Sequence, residues 1–203
     1  MGTQISPELI QATTDFHGHW CPGLAIGIRA AEWALQEMGK AGDEEIVAVV
    51  ETDMCGVDAI QFMTGCTFGK GNLIHRDYGK NAFTFYCRGD QKAMRLVTRP
   101  DIFDEDRKEL IKLQAKRQQQ ELTTEEECEW RQIRKNMAAR VMSASFEALF
   151  EFKDPAGPLP GKARILSSLV CDVCGEATME SRTRRFQDQT LCIPCFEDVE
   201  RRI

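Results

Sequence analysis

Two Cys-x-x-Cys pairs, Cys171/Cys174 and Cys192/Cys195, stand near the end of the chain with seventeen residues between them, and no other feature restricts the fold so tightly. Two such knuckles supply the four thiolates that tetrahedral zinc takes at about 2.3 Å each. So short a segment cannot build an apolar core, so the metal has to supply its folding energy. Four sulfurs leave no open position, and the zinc reads as structural. Gly175 to Leu191 suits a small hairpin, and Cys192 to Glu200 suits a knuckle that opens a helix. That is the layout of a treble-clef finger or, failing that, a zinc ribbon. Arg182, Arg184, Arg185, Arg201 and Arg202 make the segment locally basic, either as a solvated surface or as a face for an acidic protein partner or nucleic acid.

A second group of ligand types lies near the start, in Phe16-His17-Gly18-His19-Trp20-Cys21-Pro22-Gly23, which holds two of the three histidines. Alternation places His17, His19 and Cys21 on one side of an extended segment, and Gly18 lets the backbone bend so that they converge. Cys21 reads as the N-cap of a helix with Pro22 at its first position, where the helix end favours thiolate over thiol. Imidazole, imidazole and thiolate suit a transition metal, zinc foremost.

The net charge of -6 and the pI near 5.2 argue against a general nucleic-acid coat, which needs a positive field. No apolar run is long enough to span a bilayer, and Met1 to Glu8 lacks the basic-then-apolar layout of a signal peptide. The expectation is a cytoplasmic chain without a membrane partner. Its nine cysteines would be reduced there, and read as ligands, reactive thiols or core residues before disulfides.

Local patterns set the order of elements. Ser6 and Pro7 start a short helix to about Ala12, and a loop carries the histidines. Pro22 to about Met38 is a helix with Leu24, Ile28, Ala31 and Leu35 at helical spacing, ending at Gly39. Glu45 to Thr52 is a buried strand, Val57 to Thr64 a short helix, and Gly65 to Leu73 a glycine-rich loop. Ile74 to Tyr78, Ala82 to Arg88 and Lys92 to Val97 read as strands. Asp104 to Gln119 is helical. Thr123 or Thr124, with Glu126 or Glu127, boxes the start of a helix to about Phe150. Its apolar stripe (Trp130, Ile133, Met137, Val141, Ala144, Ala148) packs on the same chain or on a twin, so a homodimer is expected. Lys153 to Gly161, with three prolines and two glycines, is a stiff linker. The division is 1–152, a linker over 153–166, and a finger over 167–203.

Asp53, Cys55 and Asp58 fall just past the carboxyl end of the buried strand, where α/β sheets usually place their sites. Cys55 or Cys66 could complete the metal site begun by His17 and Cys21. Asp53 or Asp58 could orient a ligating histidine or act as a base, and capping is the structural alternative for both. Gly65, Cys66, Gly69 and Lys70 resemble a phosphate loop one residue short, with Gly71 where Ser or Thr should stand. Nucleotide hydrolysis is not expected, but the loop amides and Lys70 could hold an anionic cofactor. The catalytic candidates are Cys21, Asp53, Cys55 and Lys70. His75 reads as a packed histidine, and Cys87 and Cys128 as core or surface residues.

Three ordered blocks carry a family resemblance: Phe16 to Gly23 as given above, Asp53-x-Cys55-x-x-Asp58-Ala59-Ile60-Gln61, and Thr64-Gly65-Cys66-Thr67-x-Gly69-Lys70-Gly71-Asn72-Leu73. They resemble the FmdE family of formylmethanofuran dehydrogenase components over about residues 10–150, and the terminal four-cysteine segment matches its two-domain members. The resemblance implies an α+β fold: a thioredoxin-like core with a mixed sheet flanked by helices, then a treble-clef zinc finger. It implies a metal-binding active site at His17, His19, Cys21 and Cys55. The family name comes from association with a molybdenum or tungsten enzyme that reduces carbon dioxide onto methanofuran, so the other components of that dehydrogenase are implied partners. Three functions compete: a reactive metalloprotein in one-carbon or molybdopterin-linked redox metabolism, a thiol-disulfide oxidoreductase using Cys21 with Cys55 or Cys66, and a non-enzymatic binding or regulatory protein.

Overall fold

A five-stranded mixed sheet, in the order β2-β1-β3-β4-β5, carries the first part of the chain. The structure is a computed structural model describing residues 2–39 and 46–201, the side chains at 105 and 107 excepted. Glu45, expected to begin the first strand, and Arg202, of the basic group, lie outside the described residues. The chain forms two compact units, Met1–Lys162 and Ala163–Ile203. Among the described residues, no helix is long and apolar enough to cross a membrane.

The central strand β1 (Ile46–Val50) is buried on both faces. Ile46, Ala48 and Val50 face the main core with Phe83, Phe85 and Leu96, while Val47 and Val49 face a smaller cluster with Tyr86. That is why its β-branched run shows no alternation. β1 pairs in parallel with β2 (Leu73–His75) and antiparallel with β3 (Ala82–Cys87). β4 (Ala93–Thr98) follows β3 as a hairpin partner, and β5 (Phe150–Lys153) adds the far edge. The mixed sheet with flanking helices is the expected α+β architecture.

Helix α1 (Pro7–His17) starts at the Ser6 cap but runs past Ala12. The hydroxyls of Thr13 and Thr14 donate to the carbonyls of Leu9 and Ile10, at 2.7 and 2.8 Å, so two residues that usually favour turns stay helical. Gly18, at φ 90°, then ends the helix in the left-handed region. α2 (Pro22–Met38) is capped by Cys21, whose sulfur accepts from the Leu24 amide at 3.3 Å. α3 (Gly56–Thr64), α4 (Asp104–Gln119) and α5 (Thr124–Ser143) follow. Thr123 is the cap of α5, in a closed capping box with Glu126. The expected single helix to Phe150 breaks at Ala144, where the backbone turns extended. Ser145 caps the four-residue α6 (Phe146–Leu149), which leads into β5. Met137 and Val141 of the apolar stripe are buried against this same chain.

The Pro/Gly stretch is held against the small-cluster face of the sheet. Tyr86 donates its hydroxyl to the Gly157 carbonyl at 2.9 Å, and Arg88 donates to the carbonyls of Pro160 and Gly161.

What positions the site is a contact between backbones. A Cβ on Gly27 would lie 2.1 Å from the Gly56 carbonyl oxygen, and one on Gly56 would lie 3.0 Å from the Gly23 oxygen. α2 and α3 cross with no side chain between them, so their first turns meet.

The Gly27→Ala variant should force the two helices apart. Denaturant unfolding is expected to show a loss of roughly 1–3 kcal/mol, the usual penalty for overpacking. A second test concerns Glu51, which accepts from Arg95 at 2.6 and 2.8 Å with little exposure on either side. The guanidinium holds the Glu51 carboxyl below the usual carboxylate range. Its contribution is therefore present above the unfolded carboxyl pKa of about 4.3 and lost as the pH falls through the lower folded value. Glu51→Gln should remove that part of the acid dependence of stability, and it strands the Arg95 charge at a cost of roughly 3–5 kcal/mol.

Candidate metal centre

The glycine crossing places Cys21, the cap of α2, beside Cys55, the residue that precedes α3. A Cβ on Gly23 would sit 3.3 Å from that of Cys55 and 3.9 Å from the Cys21 sulfur. Two sulfurs thus face each other between two helix N-termini, whose partial positive charge favours thiolate. Without a cation, burial and the neighbouring Cys21 sulfur push the Cys55 thiol above its ordinary value.

His17 and His19 complete the group. One donor atom from each of His17, His19, Cys21 and Cys55 lies within 4.8 Å of all the others. Tetrahedral zinc with two nitrogens and two sulfurs needs donors roughly 3.3–3.8 Å apart, so the set fits such an ion after a small contraction. His17 Nε2 is already 4.0 Å from the Cys21 sulfur. The route to this convergence differs from the expected extended segment. His17 is the last residue of α1, and the left-handed Gly18 reverses the chain so that the His17 and His19 rings lie 4.5 Å apart. Asp58, in the first turn of α3, accepts from His17 Nδ1 at 2.6 Å, which leaves Nε2 bare toward the sulfurs. That is the carboxylate–histidine arrangement that fixes a metal ligand's ring and tautomer. Of the two readings of Asp58, orientation of the histidine is the one with a contact.

Three of the four donors, His17, Cys21 and Cys55, wall a cleft of about 510 Å³. Asp53 stands exposed at its edge. The opposite wall is α5, which contributes Arg134 and Met137. Sequence patterns alone do not single out Arg134. Its spacing from Trp130 and Met137, four residues on one side and three on the other, places all three on one helix face, and that is the available signal.

The glycine-rich loop is not part of this site. α3 begins at Cys55 and ends at Gly65, so its nine residues put Cys66 roughly 13 Å further along the axis. Cys66 is fully buried, its sulfur donates to the Ile46 carbonyl at 3.3 Å, and burial pushes its thiol up. The Cys66 amide goes to the Thr64 hydroxyl and the Thr67 amide to Asn72. The Lys70 amide goes to the Thr67 hydroxyl, and the Gly71 amide to the Phe68 carbonyl. A phosphate cradle would need those amides, and the loop spends them on its own shape. Gly65, Cys66, Gly69 and Lys70 therefore stand apart from the candidate centre, and Cys66 cannot complete it. His75, expected to be packed, is exposed at the end of β2.

In the second unit, β6 (Ser168–Val170) pairs with β7 (Ala177–Met179), and β8 (Thr183–Phe186) with β9 (Gln189–Cys192). Two hairpins thus stand where one was expected, and α7 (Ile193–Glu200) follows with Cys192 as its cap. Cys171, Cys174, Cys192 and Cys195 also bring their sulfurs within 4.8 Å of one another. Cys174 and Cys192 are 3.8 Å apart, the edge of a zinc–sulfur tetrahedron. Amides of Cys174 and Cys192 pull Cys171 down to about 6, while the Cys192 sulfur pushes Cys195 up to about 12. The only apolar packing among these described residues is small, with Phe186 against Phe196 and Leu191 beneath, as a metal-supported fold requires.

Comparison with known proteins accounts for both units. The family model described as "FmdE, Molybdenum formylmethanofuran dehydrogenase operon" matches residues 16–151, and that for the prokaryotic dksA/traR C4-type zinc finger matches residues 164–201. A protein of Archaeoglobus fulgidus described as "Probable S-adenosyl-L-methionine-binding protein" is 30% identical over 93% of this chain and 52% of its own length. The chain thus spans about half of that curated relative. The crystal structure of an FmdE-like protein of tungsten formylmethanofuran dehydrogenase, from Syntrophus aciditrophicus, superposes with a TM-score of 0.57 at 23% identity. It covers 96% of this chain and 94% of that one, and shares its fold. With metal-ligating groups in both units and structural zinc in the second, the chain belongs to the FmdE family and carries a C-terminal four-cysteine zinc finger.

Proposed function

We propose that the N-terminal centre holds a transition metal, zinc foremost, in reactive use, and that the chain serves one-carbon or molybdopterin-linked redox metabolism as a component or relative of formylmethanofuran dehydrogenase. The observation that carries the reading is the coincidence of a four-donor set with an open cleft. His17, His19, Cys21 and Cys55 converge, and three of them wall a space that a small molecule can enter. The finger's sulfurs converge equally well, but its four thiolates close the coordination sphere. A metal held at the N-terminal centre would supply Lewis acidity, and a lowered pKa for water at any position a protein ligand vacates. The residues' part is to fix it: Asp58 sets the His17 ring, the two helix ends set the sulfurs, and the exposed His19 is the ligand least bound by packing. Family membership supports the metabolic link.

The competing thiol-disulfide reading is weaker on physical grounds. Exchange needs an accessible sulfur with a lowered pKa. Cys21 is 2% exposed, and burial and Cys21 push the Cys55 thiol the wrong way. A cation between the two sulfurs removes that conflict.

Elemental analysis of the purified chain should give two metals per chain, and Cys171→Ser should leave one. A single metal that disappears with the finger cysteines would overturn the reading. Asp58→Asn should weaken metal retention at the N-terminal centre about 10- to 100-fold in a chelator competition, and leave the finger's zinc unchanged.

A further inference from the structure

The cleft has an asymmetry that the donor set does not explain. One wall is ligand-bearing and polar, with His17, Cys21 and Cys55; the other is largely apolar, with Ile26, Leu110 and Met137. Into that second wall α5 inserts one permanent cation, Arg134. The guanidinium is half-buried, and its central carbon lies 5.6 Å from the centre of the Trp130 ring one turn earlier. An arginine beside an aromatic ring in this way is held in place before any ligand arrives. No carboxylate among the described residues pairs with it. Asp58, a nearby candidate, is committed to His17, and Asp53 is exposed at the edge. The charge of Arg134 also reaches across the cleft, where it draws the Cys55 thiol down against the effect of burial.

We infer that Arg134 is the binding residue for the charged end of the cleft's ligand, and that the ligand class is a small carboxylate with an apolar body. The inference rests on the proposed metal centre facing the same cleft. Its chemistry follows from the two walls. A planar guanidinium presents paired N–H donors that match a carboxylate in two parallel hydrogen bonds. The apolar side chains beside it give a hydrocarbon body a place out of water. A bare phosphate would satisfy the guanidinium but leave those side chains without a partner. The charged end thus anchors on α5, with the ligand body held in the cleft that the metal ligands wall.

The test uses the full-length chain loaded with zinc to a verified two ions per chain, with hexanoate as the probe in calorimetric titration at neutral pH. Hexanoate should bind, and the uncharged hexanamide should bind about ten- to a hundred-fold more weakly, the range for losing a charge-assisted hydrogen-bond pair. Arg134→Met should lose the same factor for hexanoate with its zinc content and melting temperature unchanged. Arg134→Lys, which keeps the charge but not the fork, should fall between. Equal binding of hexanoate and hexanamide would overturn the inference, as would undiminished hexanoate binding by Arg134→Met, or binding of inorganic phosphate in place of hexanoate. Failure of hexanoate to bind a chain that holds both zinc ions sinks this inference and leaves the metal centre standing. A chain that retains only the finger's zinc sinks both.

Discussion

Everything at the N-terminal centre depends on two helices touching through bare backbone. Gly27 and Gly56 come so close that a methyl group on either has nowhere to go, and Gly23 extends the contact toward the helix ends. Ordinary helix pairs lie 8–10 Å apart because side chains separate them. Removing the side chains lets the first turns of α2 and α3 meet, and their sulfurs come with them. The glycines are costly in a helix, and the cost is tolerated because nothing larger would allow that approach.

Around this crossing the rest of the first unit works as a support. β1 is buried on both faces and delivers the chain to Cys55 at its carboxyl end. Arg29 and Glu32, fully buried and paired on α2, tie that helix to the N-terminal segment through Thr3 and Gln4, and to the segment after α5 through the Ala144 carbonyl. Arg29 also lies over the Phe146 ring. A buried ion pair is weak evidence of stability, but this one has hydrogen bonds on several sides, which sets where its neighbours attach.

Much of this could be read from the chain alone, for local reasons. Cys21-Pro22 and Gly39 mark the ends of α2 because capping chemistry is local, and the cysteine spacing of the finger is a local constraint as well. The β-branched run of β1 was legible as a doubly buried strand. The failures share a cause, which is tertiary context overriding local preference. Thr13 and Thr14 look like loop residues until their hydroxyls find carbonyls within the helix. Phe150 to Lys153 alternates correctly for an edge strand, but four residues beside a strong helix carry too little signal, and only pairing with β4 defines them. The glycine-rich loop after α3 attracts a functional reading by composition, though its glycines and amides serve a tight local turn. Arg134 is invisible for the opposite reason: one arginine among many on a polar helix means nothing until the helix is laid across the cleft.

The Asp58–His17 hydrogen bond has a further consequence. It joins the end of α1 to the start of α3 with protein atoms alone, so the front receptacle keeps its shape when empty. The tail has no such internal brace, since its folding and its zinc are one event. Under scarcity of the ion, the two halves of the chain would respond in opposite ways, with one waiting intact for the next arrival while the other comes undone and offers loose thiols to its surroundings.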